Sequence, residues 1–133
     1  MTYSSALFRS GQDSLEKAQT AKYASMVDQM GARPGDHVLE IGCGWGGFAE
    51  RAADQGRFVT GLTISPSQHG FADARLDGRA QINLQDYRET QGTFDNIVSI
   101  EMIEAVGERY WPSYFATLKR SLSESGKAVV QAI

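Results

Sequence analysis

Between His37 and Phe48 the chain reads HVLEIGCGWGGF, and here its residue types come closest to chemistry. A carboxylate, Glu40, stands just before four closely spaced glycines, Gly42, Gly44, Gly46 and Gly47. Glycines let backbone approach a ligand closely, and a helix starting among them aims free N–H groups and partial positive charge at it. The pattern is that of a nucleotide-type cofactor turn. Gly42, Gly44 and Gly47 complete G-x-G-x-x-G, which NAD domains also carry. The turn is not a P-loop, because no Gly-Lys-Ser/Thr follows to cradle a triphosphate. A carboxylate at position 40 would be unfavourable beside a pyrophosphate and favourable beside an ammonium group, which separates the two kinds of cofactor.

The elements that must position this turn follow from periodicity. Val38, Leu39 and Ile41 read as a strand and Phe48 to Gln55 as a helix closed by Gly56. Arg57 to Ile64 is a β-branched second strand, and Ser65-Pro66 caps and opens a helix running to about Leu76. Ala80 to Leu84 and Phe94 to Ile100 give the third and fourth strands. Glu101 to Arg109 is a connector, Tyr110 to Leu122 a helix, Gly126 a turn, and Lys127 to Ile133 a fifth strand. Ahead of these, Met1 to Gly11 reads as a polar-aromatic arm. Ser14 to Met30 is a helix with Leu15, Ala18, Ala21, Met26, Val27 and Met30 as its apolar positions, ended by Gly31. Residues 1–33 are therefore an arm and cap helix, and 34–133 the core. Strands alternating with helices mean βαβ units, a parallel sheet and a Rossmann-like α/β fold with helices on both faces. Ligands of such sheets bind at the carboxyl ends of the strands. Glu40 to Gly46, Thr63 and Ser65, Asp86 and Tyr87, and Glu101 to Glu104 all fall there. Ending on a strand residue, the chain reads as a fragment.

Bulk properties narrow the class. The 133 residues suffice for one domain with a core, 41% of them are apolar, and the net charge is −3. No nucleic-acid partner is expected from that balance. The single cysteine, Cys43, excludes an internal disulfide and a multi-cysteine metal site, and no metal is expected. It reads as a small packing residue. No long apolar run suggests a membrane-spanning helix, and no basic amphipathic helix suggests a surface anchor.

Seven segments together make the chain resemble the cyclopropane-fatty-acyl-phospholipid synthase family, which includes the mycolic acid cyclopropane synthases. They are YSSALF (3–8), SLEKAQTAKY (14–23), PGDHVLEIGCGWGGFAE (34–50), VTGLTISPSQ (59–68), LQDYRE (84–89), FDNIVSIEMIEAVGERYWPSYF (94–115) and VVQAI (129–133). The resemblance implies a class I methyltransferase fold whose last strands lie beyond Ile133, with S-adenosylmethionine (SAM) as cofactor and S-adenosylhomocysteine as its product. It implies cofactor contacts from Glu40, Gly42, Gly44 and Gly46, from Thr63 and Gln68, from Asp86 and Tyr87 near the adenine, and from Tyr3 and Ser4 of a closing arm. Gly46 and Gly47 also admit a plain packing role. The implied substrates are unsaturated phospholipid acyl chains, met by a cytoplasmic enzyme in transient, peripheral contact with a membrane surface.

In that family an alkene attacks the sulfonium methyl, and loss of a proton from the resulting cation closes a cyclopropane ring. A bound bicarbonate can accept the proton, and on this chain the matching carboxylate is Glu104. Three positions depart from the pattern. Ser5 replaces a cysteine, Ala105 a histidine that often follows the glutamate, and Gln131 the bicarbonate-binding histidine. Serine and glutamine can hold an anion, but glutamine cannot take up a proton as histidine does. Ring formation and methyl or methylene branching therefore both stay open, as does a chain that binds SAM without catalysis; an NAD-linked oxidoreductase is disfavoured because no acidic ribose ligand ends the second strand. Weak or absent turnover is expected of these 133 residues alone.

Overall fold

Alternating apolar residues commit each strand to two buried faces. In the computed structural model, which describes residues 22–23, 25–27, 29–100 and 102–131 (the Glu104 side chain excepted), five such strands form one sheet. They are β1 (His37–Ile41), β2 (Phe58–Thr63), β3 (Gln81–Leu84), β4 (Phe94–Ile100) and β5 (Leu122–Gln131). All neighbours are parallel and the order is β3-β2-β1-β4-β5. The order reverses beside β1, which puts the β1 and β4 ends at the switch point where such sheets bind ligands.

Helices α1 (Gly47–Asp54) and α2 (Pro66–Leu76) cover one face, where Val38, Val59 and Ile82 meet Phe48, Ala52, Ala72 and Leu76. Helical residues between 22 and 30 join the same core through Tyr23, Met26, Val27 and Met30. Tyr23 packs edge-on against Phe48 with ring centroids 5.9 Å apart. On the opposite face Leu39, Ile41, Leu62 and Ile97 pack against Tyr114 and Leu118 of α4 (Trp111–Ser121). The two-residue period of the strands thus sorts their side chains onto the two sides of the fold.

Polar contacts fix how the helices lie. Glu50 of α1 pairs with Arg75 of α2 and with Arg79 just after it at 3.3 and 3.0 Å, and Arg79 also reaches Asp54 at 2.7 Å. Arg57 donates to the carbonyls of Gln55 and Ala32, both at 2.6 Å, tying the entry of β2 to the turn before β1.

The sequence reading is corrected in two places. The connector after β4 is not irregular throughout, since it holds a short helix, α3 (Ile103–Val106), and a 3-10 turn at Glu108–Tyr110. The chain also passes from α4 straight into β5 at Leu122 rather than through a turn at Gly126. The register explains this: Leu122 pairs with Phe94 and Lys127 with Asn96, so the extra β5 residues bulge opposite Asp95. Gly126 lies in that bulge, where a Cβ would sit 2.8 Å from the Asp95 carbonyl oxygen. It is glycine for space, not for turning.

Candidate cofactor site

The turn after β1 is clamped to its neighbour. The N–H groups of Gly42 and Cys43 both donate to the Leu62 carbonyl of β2, at 3.0 and 2.8 Å. Gly42, Gly44 and Gly46 all have positive φ, at 77°, 55° and 91°, the left-handed region that other residues enter at a cost. Their surroundings differ. A side chain at Gly46 would meet Leu76 and Ala72 of α2 at 3.0 and 3.2 Å, and one at Gly42 would meet the Met102 sulfur at 3.0 Å. At Gly44 nothing among the described residues lies within 4 Å. Gly46 thus serves helix packing, while Gly44 faces open space that another molecule can use. Cys43 is buried in the core, with its Cβ 2.9 Å from where a side chain on Gly61 would begin, and burial together with the Glu40 charge pushes its thiol up to about 12.

Beyond this turn the strand ends enclose a cavity of about 440 Å³. Five of the residues singled out above line it: Gly42, Thr63, Gln68, Asp86 and Tyr87. After β2, Ser65 caps α2 by accepting from the Gln68 N–H at 3.2 Å, with Pro66 opening the helix. The Thr63 hydroxyl accepts from the Ser65 N–H at 3.1 Å and donates to Gln68 Oε1 at 3.0 Å. That arrangement turns the Gln68 amide back over the strand end, although Gln68 belongs to a surface helix. After β3, Asp86 accepts from the Arg88 N–H and guanidinium at 2.8 to 3.0 Å, and this pairing holds its carboxyl below the ordinary range. Tyr87 stands edge-on to Tyr114 at 5.5 Å, and the Tyr114 hydroxyl donates to Ser99 of β4. Arg120 of α4 donates to the Thr90 carbonyl at 2.7 Å and so steadies the segment that carries Tyr87.

Sequence reasoning reached the far wall only in part: Met102 falls in the Glu101 to Glu104 strand-end stretch and Ala105 stood out as a departure from the family pattern, while Val106, Tyr110 and Ser113 were missed. Together these five complete the cavity from α3, the following turn and α4. Trp111 braces that wall by donating from Nε1 to the Ile103 carbonyl at 3.2 Å. These residues follow β4, so their position after a strand end was a usable signal; the return of α4 over the cavity is a long-range event that local pattern does not carry.

Glu40 is placed apart from the cavity. It shares the β1 face with Val38, toward α1, and is 3% exposed. Among the described residues its Oε1 has no hydrogen-bond partner, and burial pushes its carboxyl up to about 8, against the opposing pull of Lys22. A buried carboxylate without a partner is costly, and such groups mark sites completed by something else. Gln131 ends β5 beside Ile100, half-buried, and is not among the residues lining the cavity. The backbone of Glu104 lies in α3 between lining residues, while its side chain, like Tyr3, Ser4 and Ser5, falls outside the described residues.

The family described as mycolic acid cyclopropane synthetase matches residues 1–133. The chain is 41% identical to the tuberculostearic acid methyltransferase UfaA1 of Mycobacterium tuberculosis and 41% identical to the cyclopropane-fatty-acyl-phospholipid synthase of Escherichia coli K12. Both alignments cover 100% of this chain, but only 34% and 35% of those proteins. The chain therefore spans about a third of the length of these curated relatives. Among solved structures, the cyclopropane synthase MmaA2 of M. tuberculosis superposes with a TM-score of 0.92 at 32% identity, covering 97% of this chain and 47% of that one. The mycolic acid cyclopropane synthase CmaA1, complexed with S-adenosylhomocysteine and CTAB, gives 0.89 at 29% identity with the same coverage. The fold is that of the class I methyltransferases.

Proposed function

This chain belongs to the mycolic acid cyclopropane synthetase family, and from that premise we propose that it is the cofactor-binding core of a SAM-dependent methyltransferase acting on unsaturated lipid acyl chains. The observation that carries the reading is the pairing of a strand-end cavity with the unpartnered, buried Glu40 carboxylate beyond the glycine turn. An adenosyl amino acid suits that pair. Its nucleoside matches the hydrogen-bonding groups after β2 and β3, and its ammonium matches an anionic Glu40. Neither NAD nor a nucleoside triphosphate carries an ammonium group for Glu40 to pair with.

When bound, SAM supplies an electrophilic methyl group. Glu40 holds the ammonium end, and the bare Gly44 backbone lets the ligand pass close to the turn. Thr63 and Gln68 supply hydroxyl and amide groups on one side of the cavity. Asp86, kept ionised by Arg88, and Tyr87 flank the adenine, while Gly42 keeps room for Met102 against the turn. Gly46 contributes by letting α1 pack on α2. Ile41, Leu62 and Val106 line the cavity with apolar surface, which excludes water from a reacting acyl chain. Tyr87 and Tyr110 present aromatic rings that would favour a developing positive charge there.

Glu104, Gln131 and Ser5 are the candidates for holding bicarbonate or another anion that takes the departing proton, with Tyr3 and Ser4 closing over the cofactor. The exact outcome has two readings. Cyclopropane formation on phospholipid chains is the first. Methyl or methylene branching is the second, favoured by equal identity to the E. coli synthase and the mycobacterial methyltransferase. Among the described residues no helix is long and apolar enough to cross a membrane. The proposed protein meets acyl chains through transient, peripheral contact from the cytoplasmic side.

The test is transfer from methyl-labelled SAM to vesicles of unsaturated phospholipid by the full protein carrying this chain. Labelled lipid with upfield cyclopropane proton signals supports ring formation, and labelled lipid without them supports branching. Unlabelled lipid under conditions of demonstrated SAM binding rejects the lipid assignment.

A further inference from the structure

The segment that carries Asp86 and Tyr87 has little structure of its own. It runs over residues 85–93 from β3 to β4, which the sheet order sets apart with β2 and β1 between them. A 3-10 turn, Tyr87–Glu89, is its one regular piece, and Gln91, Gly92 and Thr93 are exposed. Such a segment takes its placement from its neighbours. Arg120, in the last turn of α4, reaches it: Nη1 donates to the Thr90 carbonyl at 2.7 Å and Nη2 to the Arg88 carbonyl at 3.4 Å. A planar guanidinium can hold two carbonyls at once in a fixed geometry. Thr90 passes that hold on. It is 3% exposed, and its N–H and hydroxyl both donate to the Tyr87 carbonyl, at 3.1 and 2.6 Å, while the Glu89 N–H donates to the Asp86 carbonyl at 3.0 Å. The other end of the clamp is firm, because Leu118 and Ser121 beside Arg120 are buried. The start of the same helix brings Ser113, with Tyr110 just before it, to the facing wall of the cavity.

We propose that Arg120 is a positioning residue for the cofactor: by fastening the segment after β3 to α4, it holds Tyr87 at a set distance from the facing wall and so shapes the place of the adenosine. The inference rests on the cofactor reading above. It adds a residue that is not among those lining the cavity and acts through Thr90 on one that is. Energetic coupling of this kind runs through contiguous hydrogen bonds and rigid elements, and every link here is a direct contact. One helix then carries one wall of the cavity and grips the other.

The experiment measures affinity of the full chain for S-adenosylhomocysteine and for 5′-methylthioadenosine, which keeps the adenosine and lacks the amino-acid end. Arg120→Met is expected to weaken both ligands by the same factor, roughly 2- to 30-fold. A loss confined to S-adenosylhomocysteine overturns the proposal, because it would place the effect at the amino-acid end. Arg120→Lys, which keeps the charge and loses the fork, should lose less, and it takes the place of Met if circular dichroism shows that Met unfolds. In a Tyr87→Ala background the factor for Arg120 should fall toward one, since the group it positions is gone. The same factor in both backgrounds overturns the proposal and leaves Arg120 a structural residue. Native-state amide exchange supplies a readout that needs no ligand. Exchange at Glu89 and Thr90 should quicken in the Arg120 variant while β1 keeps its protection. Unchanged exchange at those two residues, or equal quickening throughout the sheet, overturns the clamp. Absence of binding of either ligand to the unaltered chain would instead reject the cofactor reading, with amide exchange still deciding on the clamp.

Discussion

Glu40→Gln is expected to stabilise the protein while removing its cofactor. Native Glu40 is fully enclosed and its carboxyl is pushed from the ordinary 4.5 up to about 8. Its contribution to stability is therefore complete below pH 4.5 and is lost as pH rises through about 8. Between those values the unfolded chain releases the proton and the native chain keeps it. At about 1.4 kcal/mol per pH unit, the cost of keeping Glu40 is about 3 kcal/mol at pH 7 and approaches about 5 kcal/mol by pH 9, both upper bounds. Glutamine copies the neutral carboxyl in size and never ionises, so the substitution lifts that cost. Urea unfolding at pH 5, 7 and 9 measures it. Near-equal stability at pH 5, an advantage of up to about 3 kcal/mol for the variant at pH 7, and a larger one at pH 9 are expected. An advantage independent of pH, or a variant less stable at pH 7, would refute a strained, ligand-awaiting carboxyl.

Other consequences are as specific. Gly44→Ala and Gly46→Ala should separate function from packing. Both force a side chain into left-handed backbone at roughly 1–2 kcal/mol, but Gly46→Ala adds a clash with Leu76 and Ala72 worth about 1–3 kcal/mol more. Thermal melting should rank Gly46→Ala as the less stable, and calorimetry should find the greater loss of SAM affinity per kcal/mol of stability in Gly44→Ala. Tyr114→Phe leaves the buried Ser99 hydroxyl without its donor, and about 1–2 kcal/mol of stability should go with it in urea unfolding. Cys43, buried and with its thiol pushed up to about 12, should resist a thiol reagent at pH 8 until urea unfolds the chain. Rapid labelling of the native protein would contradict its placement.

What the sequence made legible was what local chemistry specifies. The bounds Phe94–Ile100 of β4 and Pro66–Leu76 of α2 could be read directly because a β-branched run and a Ser-Pro cap announce them. The strand ends then pointed to Gly42, Thr63, Asp86 and Tyr87, and the family resemblance to Gln68, all of which line one cavity. What depends on distant neighbours was not legible. Gly126 looks like a turn until Asp95 is seen to crowd it, and Gly44 and Gly46 look alike until α2 is seen to fill the space at one of them. Lys22 went unremarked, although its four-residue spacing to Met26, and again to Met30, was a sign that its side chain goes inward. Tyr110 and Ser113 enter the site only because α4 folds back across it.

The central claim is that the cavity and Glu40 together bind an adenosyl amino acid. Calorimetric titration of the chain with SAM, S-adenosylhomocysteine and NAD⁺, repeated on Glu40→Gln, tests it most directly. Saturable binding of the first two ligands, none of NAD⁺, and loss of both adenosyl ligands in a variant at least as stable as the unaltered chain are the predicted result. Adenosyl binding undiminished by Glu40→Gln, or saturable binding of NAD⁺, would contradict it.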